Sequence, residues 1–402
     1  MTLYTFACRA FQLSAKLAMP ILNWDEPKLL RGPGCIEELP GLIKSLGLAR
    51  VLLVTDPQLA ALDLPGPLLR ALEREGIACA VYNRTQANPT IQNIEEAGAL
   101  YRENDCEGII AFGGGSPMDC AKGVGALAVR PGKSIPQLRG LLKVLKRIPP
   151  LFTVPTTAGT GSEATLACVV RDPAAGEKYA VNDPMLRPEY AVLDPALTVS
   201  LPPAFTAQTG LDALSHAVEA FIGRSNTKKT EARALEAVRL IFANLETAYA
   251  DGGDLEARGA MLEAAYCGGV SFSRAYVGNC HGIAHALGGL YSVPHGLANA
   301  VTLPYVLDWY GPAAHARLAK LAEAAGICEP GQSGAEKAAA FIAAIRAMNE
   351  RMGIPETFDC IREEDIPLMA KRAVKECNPL YPVPKIMRRA DCEKLIRKLL
   401  KT

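Results

Sequence analysis

At 402 residues, 49% of them hydrophobic and 21% charged, the chain is long enough and apolar enough to bury two cores, so two domains are expected. Its 43 basic and 42 acidic side chains leave a formal charge of +1, which excludes a dedicated binder of nucleic acid or other polyanions, and the composition excludes a disordered or collagen-like chain. The twelve cysteines contain no CxxC pair and match neither a zinc finger nor a small disulfide scaffold. The apolar start is broken by Arg9 and Lys16, and no stretch reaches the roughly 18 apolar residues of a membrane span. A soluble protein of the reducing cytoplasm, with no membrane partner, is therefore expected.

In chain order, Phe6, Ala10, Leu13, Leu17 and Ile21 recur every three to four residues, with Arg9, Gln12 and Lys16 off that stripe. The spacing predicts a short amphipathic helix packed on the body of the protein or on a partner chain. From residue 50 to 155, short β-branched runs alternate with helical patterns. Strands are expected at Val51–Thr55, Ala78–Tyr82 and Gly108–Phe112, and helices around 68–75 and 91–103. That rhythm predicts a parallel sheet covered by helices. Residues 130–147 carry six basic side chains and no acid, and read as a solvated face. Beyond Leu201-Pro202-Pro203 the texture turns to long Ala, Leu and Glu-rich segments, such as 229–249 and 335–350. The expected division is an α/β domain over 1–203, with a Rossmann-like parallel sheet, and an all-helical domain over 204–402.

Four of the five histidines lie between residues 216 and 295. Asp212 and His216 stand one helical turn apart, as do His281 and His285, and His295 follows a glycine-rich bend. Asp212, His216, His281 and His295 together offer three nitrogens and one carboxylate to a divalent metal. A single such histidine reads as a hydrogen-bonded side chain, but clustering favours a site. His315, in an Ala-rich stretch, keeps the bland reading. Gly113-Gly114-Gly115-Ser116 connects a buried strand to a helix, where free backbone amides can hold a pyrophosphate. Thr156, Thr157 and Thr160 lie in a second loop, Pro155–Glu163, that offers hydroxyls beside glycines.

With these residues in place, the chain resembles the iron-containing (group III) alcohol dehydrogenases. The resemblance is carried by GGGSPMDCAK at 113–122, PTTAGTGSE at 155–163, DALSHAVE at 212–219 and HGIAHALGGLYSVPHGLAN at 281–299. It implies a dinucleotide-binding α/β domain, a helical metal domain, and hydride transfer between NAD(H) and a small alcohol or aldehyde in the cleft between them. Asp212, His216, His281 and His295 match the family's metal ligands, with iron(II) the expected ion and zinc(II) the alternative. Gly113 to Ser116, Asp119, Thr156, Thr157 and Thr160 match its cofactor contacts, and Asn88 and Lys178 match recurrent positions. Phe272 matches a substrate-pocket aromatic, and Ala167 replaces the polar residue of some polyol-using relatives. The resemblance also places Asp56 near the adenosine ribose, where a carboxylate favours NAD over NADP. His285 is expected to act as a proton relay and Cys280 to pack. A homo-oligomer, a dimer in the first instance, is expected. The sequence leaves two alternatives: a lyase or cyclase like dehydroquinate synthase, and a non-catalytic assembly protein docking through residues 1–24.

Overall fold

In this computed structural model, residues 2–18, 25–175 and 177–401 are described. Ile21, the last member of the N-terminal apolar stripe, lies outside them. The chain forms two compact units, one of residues 24–200 and the other joining 201–402 to 1–23.

The chain begins with helix α1 (Leu3–Ala18) and then builds the first unit: β1 (Lys28–Arg31), α2 (Leu39–Ser45), β2 (Arg50–Val54), α3 (Pro57–Ala61), α4 (Gly66–Arg74), β3 (Ala78–Tyr82), α5 (Ile91–Glu103), β4 (Gly108–Gly113) and α6 (Gly115–Val129). There follow β5 (Gly140–Leu141), β6 (Leu151–Pro155), β7 (Ala167–Asp172), β8 (Glu177–Asn182) and β9 (Tyr190–Leu193). Six strands form a parallel sheet in the order β1-β9-β6-β4-β2-β3. Both faces are covered, so alternate residues of one strand enter different cores. Leu52, Val54, Ile109 and Ala111 pack against Ile94 and Ala97 of α5 and Met118, Ala121 and Val124 of α6. Val51, Leu53, Ile110 and Phe112 face Leu39 and Ile43 of α2 and Leu68 and Leu72 of α4. This double burial is why the strands read as unbroken apolar runs.

A second sheet, β5-β8-β7, lies outside the predicted strands: β5 has only two residues, and β7 buries only Cys168 and Val170. The basic stretch before β6 is partly paired, Arg139 with Glu177 and Arg147 with Glu189.

The second unit is helical: α7 (Pro203–Ile222), α8 (Lys228–Ala250), α9 (Leu255–Ala275), α10 (Asn279–Tyr291), α11 (His295–Tyr310), α12 (His315–Ala324), α13 (Gly334–Arg351), α14 (Ile366–Cys377) and α15 (Arg389–Leu399). Pro203 occupies the first turn of α7, where its missing N–H costs nothing. No described helix is long and apolar enough to cross a membrane.

Helix α1 groups with this helical unit, whereas a division at residue 203 would assign it to the α/β part. The physical reason is a set of polar ties. Arg9 donates to the carbonyls of Val383 (2.7 Å) and Pro384 (2.9 Å), Gln12 to those of Tyr381 (2.7 Å) and Pro379 (3.1 Å), and Lys16 to that of Arg224 (2.9 Å). Of the two packings expected for the apolar stripe, on the body or on a partner chain, the first does not occur: Phe6, Leu13 and Leu17 are all exposed.

Candidate metal and dinucleotide sites

In the helical unit, α7 presents Asp212 and His216 one turn apart, α10 presents His281 near its start, and α11 opens with His295. One ligand atom from each lies within 4.8 Å of every other; the first three residues are buried and His295 is exposed. His295 Nε2 is 3.4 Å from Asp212 Oδ1, and His281 Nε2 is 4.0 Å from it. The Asn299 amide nitrogen donates to Asp212 Oδ1 at 2.7 Å and lies 3.2 Å from both His281 Nε2 and His295 Nε2. One NH₂ group has two hydrogens and here faces three acceptors. Lone pairs that converge on a single electropositive point suit a cation, and three imidazoles with one carboxylate suit a divalent transition metal. The donor set thus fits the metal that the residue pattern implied.

What holds His281 was not assigned from the sequence. The carboxylate of Glu219, one turn beyond His216 on α7 and buried, accepts from the backbone N–H groups of Gly278 (2.8 Å), Cys280 (2.7 Å) and His281 (3.3 Å). It also takes the N–H of His281 Nδ1 at 2.7 Å. An anion at the N-terminus of α10 satisfies amides that have no intrahelical partner. Burial pushes the Glu219 carboxyl up to about 7, while the amides of Cys280, Gly278 and His281 pull the other way. Burial, then the neighbouring imidazoles, holds His281 well below its ordinary value, so the ring is neutral. With Nδ1–H engaged, its Nε2 lone pair faces the cluster. Two glycines permit this approach: a Cβ on Gly278 would lie 2.6 Å from Glu219 Oε1, and one on Gly296 would lie 2.3 Å from the backbone oxygen of Gln208 in α7.

His285 sits one turn along α10, its Nδ1 2.6 Å from Glu376 Oε1, which also accepts from the Tyr381 hydroxyl at 2.7 Å. Its ring stacks on that of His295, with centroids 5.2 Å apart. Phe272 of α9 stacks on His216 at 4.2 Å, which places the expected substrate-pocket aromatic against a candidate ligand. Cys280 is buried, its thiol 3.5 Å from the Asn299 side-chain oxygen, and therefore packs.

In the α/β unit, Gly113 turns the chain at φ 144 and Gly114 caps α6. A Cβ at Gly113 would meet Pro117 at 2.7 Å. The threonine loop lies alongside: Cβ atoms on Gly114 and Gly115 would be 3.2 Å from Thr157 Oγ1 and 3.0 Å from Thr160 Cγ2, and Thr156 N–H donates to Gly113 O at 3.1 Å. Ser116 Oγ accepts from Asn88 N–H at 3.0 Å, and Lys178 donates to the Asn88 side chain at 2.8 Å. Asp119 is turned inward, accepting from Ser162 Oγ and Val169 N–H at 3.2 Å each, and burial pushes it up to about 6 against the pull of Lys122.

Lys122, also unassigned from the sequence, is fully buried. It donates within 3.0 Å to Ser162 O and Oγ, Thr165 Oγ1 and Ala167 O, tying α6 to the end of the threonine loop. Asp56 follows β2 and caps α3: its Oδ1 accepts from Gln58 and Leu59 N–H at 2.9 Å each.

Residues 26–195 match the family model described as iron-containing alcohol dehydrogenase, and residues 206–400 match the C-terminal model of the same family. The 1,3-propanediol dehydrogenase of Klebsiella pneumoniae is 38% identical, over 86% of this chain and 90% of that protein. The NAD-dependent methanol dehydrogenase of Bacillus methanolicus is 34% identical, over 87% and 92%. A crystal structure of 1,3-propanediol oxidoreductase superposes with a TM-score of 0.91 at 35% identity, covering 94% of this chain and all of that one. Donor set, glycine turn and matched segments agree, and the chain belongs to the iron-containing alcohol dehydrogenase family.

Proposed function

We propose that the protein carries out NAD-linked interconversion of a small alcohol and its aldehyde, with Asp212, His216, His281 and His295 as the metal ligands. The observation that carries this reading is that one ligand atom from each of those four side chains lies within 4.8 Å of every other. The chain is an oxidoreductase of a family that uses NAD and iron. The lyase or cyclase alternative is not favoured.

A bound divalent cation supplies Lewis acidity toward the substrate oxygen, and a bound nicotinamide carries the hydride. The chain's part is positional and electrostatic. Glu219 keeps the proton of His281 on Nδ1, and Asn299 orients Asp212. Gly113 to Ser116 and Thr156, Thr157 and Thr160 form the proposed cradle for the dinucleotide, with Asp119 bracing it from below. Asp56, beyond its capping role, repels a 2′-phosphate and so favours NAD. Phe272 lines the substrate side, and His285, tethered by Glu376, passes on the alcohol's proton. A dimer in the cytoplasm, with no nucleic-acid partner, completes the proposal. All twelve cysteines are free thiols, which supports a reducing compartment, and a net charge of +1 supports the absence of a polyanion.

The test is an aldehyde panel with NADH after anaerobic loading with iron(II). NADH oxidation by short-chain aldehydes is expected, and no oxidation by any aldehyde in the metal-loaded protein overturns the reading.

A further inference from the structure

Helix α1 is built the opposite way round from an ordinary surface helix. On the side that faces the protein, Cys8 and Gln12 are buried, and Arg9 and Lys16 are spent on backbone carbonyls. Its large apolar side chains face outward, with Leu3 85%, Phe6 57%, Leu13 58% and Leu17 69% exposed, flanked by Tyr4 and Phe11. Together they display roughly 500–900 Å² of largely apolar surface, taking about 150–250 Å² for a fully exposed large side chain. A monomer's largest apolar patch is usually about 300–600 Å², and a stable interface buries about 800 Å² per partner.

The outward residues 3, 6, 10, 13 and 17 alternate steps of three and four, the seam of a two-helix coil. The helix contains no acidic residue, so the seam holds nothing to select a charged partner. It is also symmetric in size about Ala10, with Leu3 and Phe6 on one side and Leu13 and Leu17 on the other. An antiparallel second copy meets it with matching shape: Leu3 against Leu17, Phe6 beside Leu13, and Ala10 against Ala10, where small side chains let the backbones approach. Such an isologous contact closes on itself. The helix also lies ahead of both segments matched to the family, the first of which begins at residue 26.

We infer that α1 is a self-association helix, pairing antiparallel with α1 of a second copy through Leu3, Phe6, Leu13 and Leu17. The test is sedimentation equilibrium under reducing conditions on three proteins: the full chain, a chain lacking residues 2–18, and Phe6→Glu/Leu13→Glu, which charges the seam without touching the inner face. NADH oxidation and circular dichroism serve as controls of folding. The full chain is expected to show about twice the mass of the other two, with turnover per chain unchanged. Equal masses for all three overturn the inference, as does a doubled mass that survives the double substitution. Binding of the full chain to lipid vesicles without any change of mass on truncation also overturns it.

Discussion

Glu219 takes four hydrogen bonds, three from the start of α10 and one from the ring of a candidate ligand, and so does two jobs with one charge. Replacing it by Gln keeps the size but weakens the hold on His281 Nδ1–H. Metal affinity is expected to fall about 10–100-fold, the usual cost of losing such a support. Equilibrium dialysis against buffered zinc or iron measures this, and wild-type affinity would show that the tie is dispensable. His281→Ala is the harsher companion: elemental analysis should show metal lost, turnover should collapse, and circular dichroism should report a surviving fold. For His285, an Asn substitution should retain metal yet lower kcat by at least about tenfold, as loss of a proton-transfer group does.

Glu163 provides a pH test in the other unit. Its carboxyl is fully buried, its Oε1 has no hydrogen-bond partner, and burial pushes it up to about 7. The folded chain therefore keeps this proton over a range in which the unfolded chain, titrating near 4.5, has released it. The stabilisation is fully present below about pH 4.5 and is lost as pH rises through about 7. Glu163→Gln cannot ionise, so its stability relative to wild type should rise by about 2–3 kcal/mol between about pH 5 and about pH 8. Urea unfolding of both proteins at the two pH values checks it.

At the scale of elements, the cluster of Asp212, His216, His281 and His295 depends on how closely α11 approaches α7. Any side chain at Gly296 drives its Cβ into the backbone oxygen of Gln208, which cannot move aside as a flexible side chain would. Gly296→Ala is expected to displace His295 and Asn299 together, costing about 1–3 kcal/mol in stability and lowering metal affinity. Calorimetry and metal titration read the two effects separately.

Helix α3 offers a cleaner separation, because Asp56 both caps it and carries the charge proposed to exclude NADP. Asn caps as well as Asp, so Asp56→Asn should leave the melting temperature unchanged. The same substitution should shift the ratio of kcat/KM for NADPH over NADH upward by about 1–3 kcal/mol. A ratio that does not move would leave Asp56 as a cap alone.

For the whole molecule, the two chemistries sit in separate compact units, one holding the glycine and threonine loops and the other the histidines. Ligand linkage follows: metal at about 100 times its Kd should stabilise the helical unit by about 2.7 kcal/mol, and chelation should remove that increment.

How much of this was legible in the sequence depended on whether the information was local. The parallel sheet could be read because each strand is buried on both faces, and Asp212, His216, His281 and His285 because a helical turn brings i and i+4 together. The four residues could be proposed as one ligand set from the sequence because few roles other than metal binding cluster three histidines and an aspartate. Glu219 and Lys122 stood inside quoted motifs without an assigned role. A buried charge declares itself only through partners 40 to 62 residues away, set by the packing of α7 on α10 and of α6 on the threonine loop. Asp119 turned inward and α1 turned over for the same reason. Periodicity establishes that a helix has two faces, but which face meets the body is decided by what the body offers. Here that was a row of carbonyls at 379–384, which drew Arg9 and Gln12 inward and left the leucines outside.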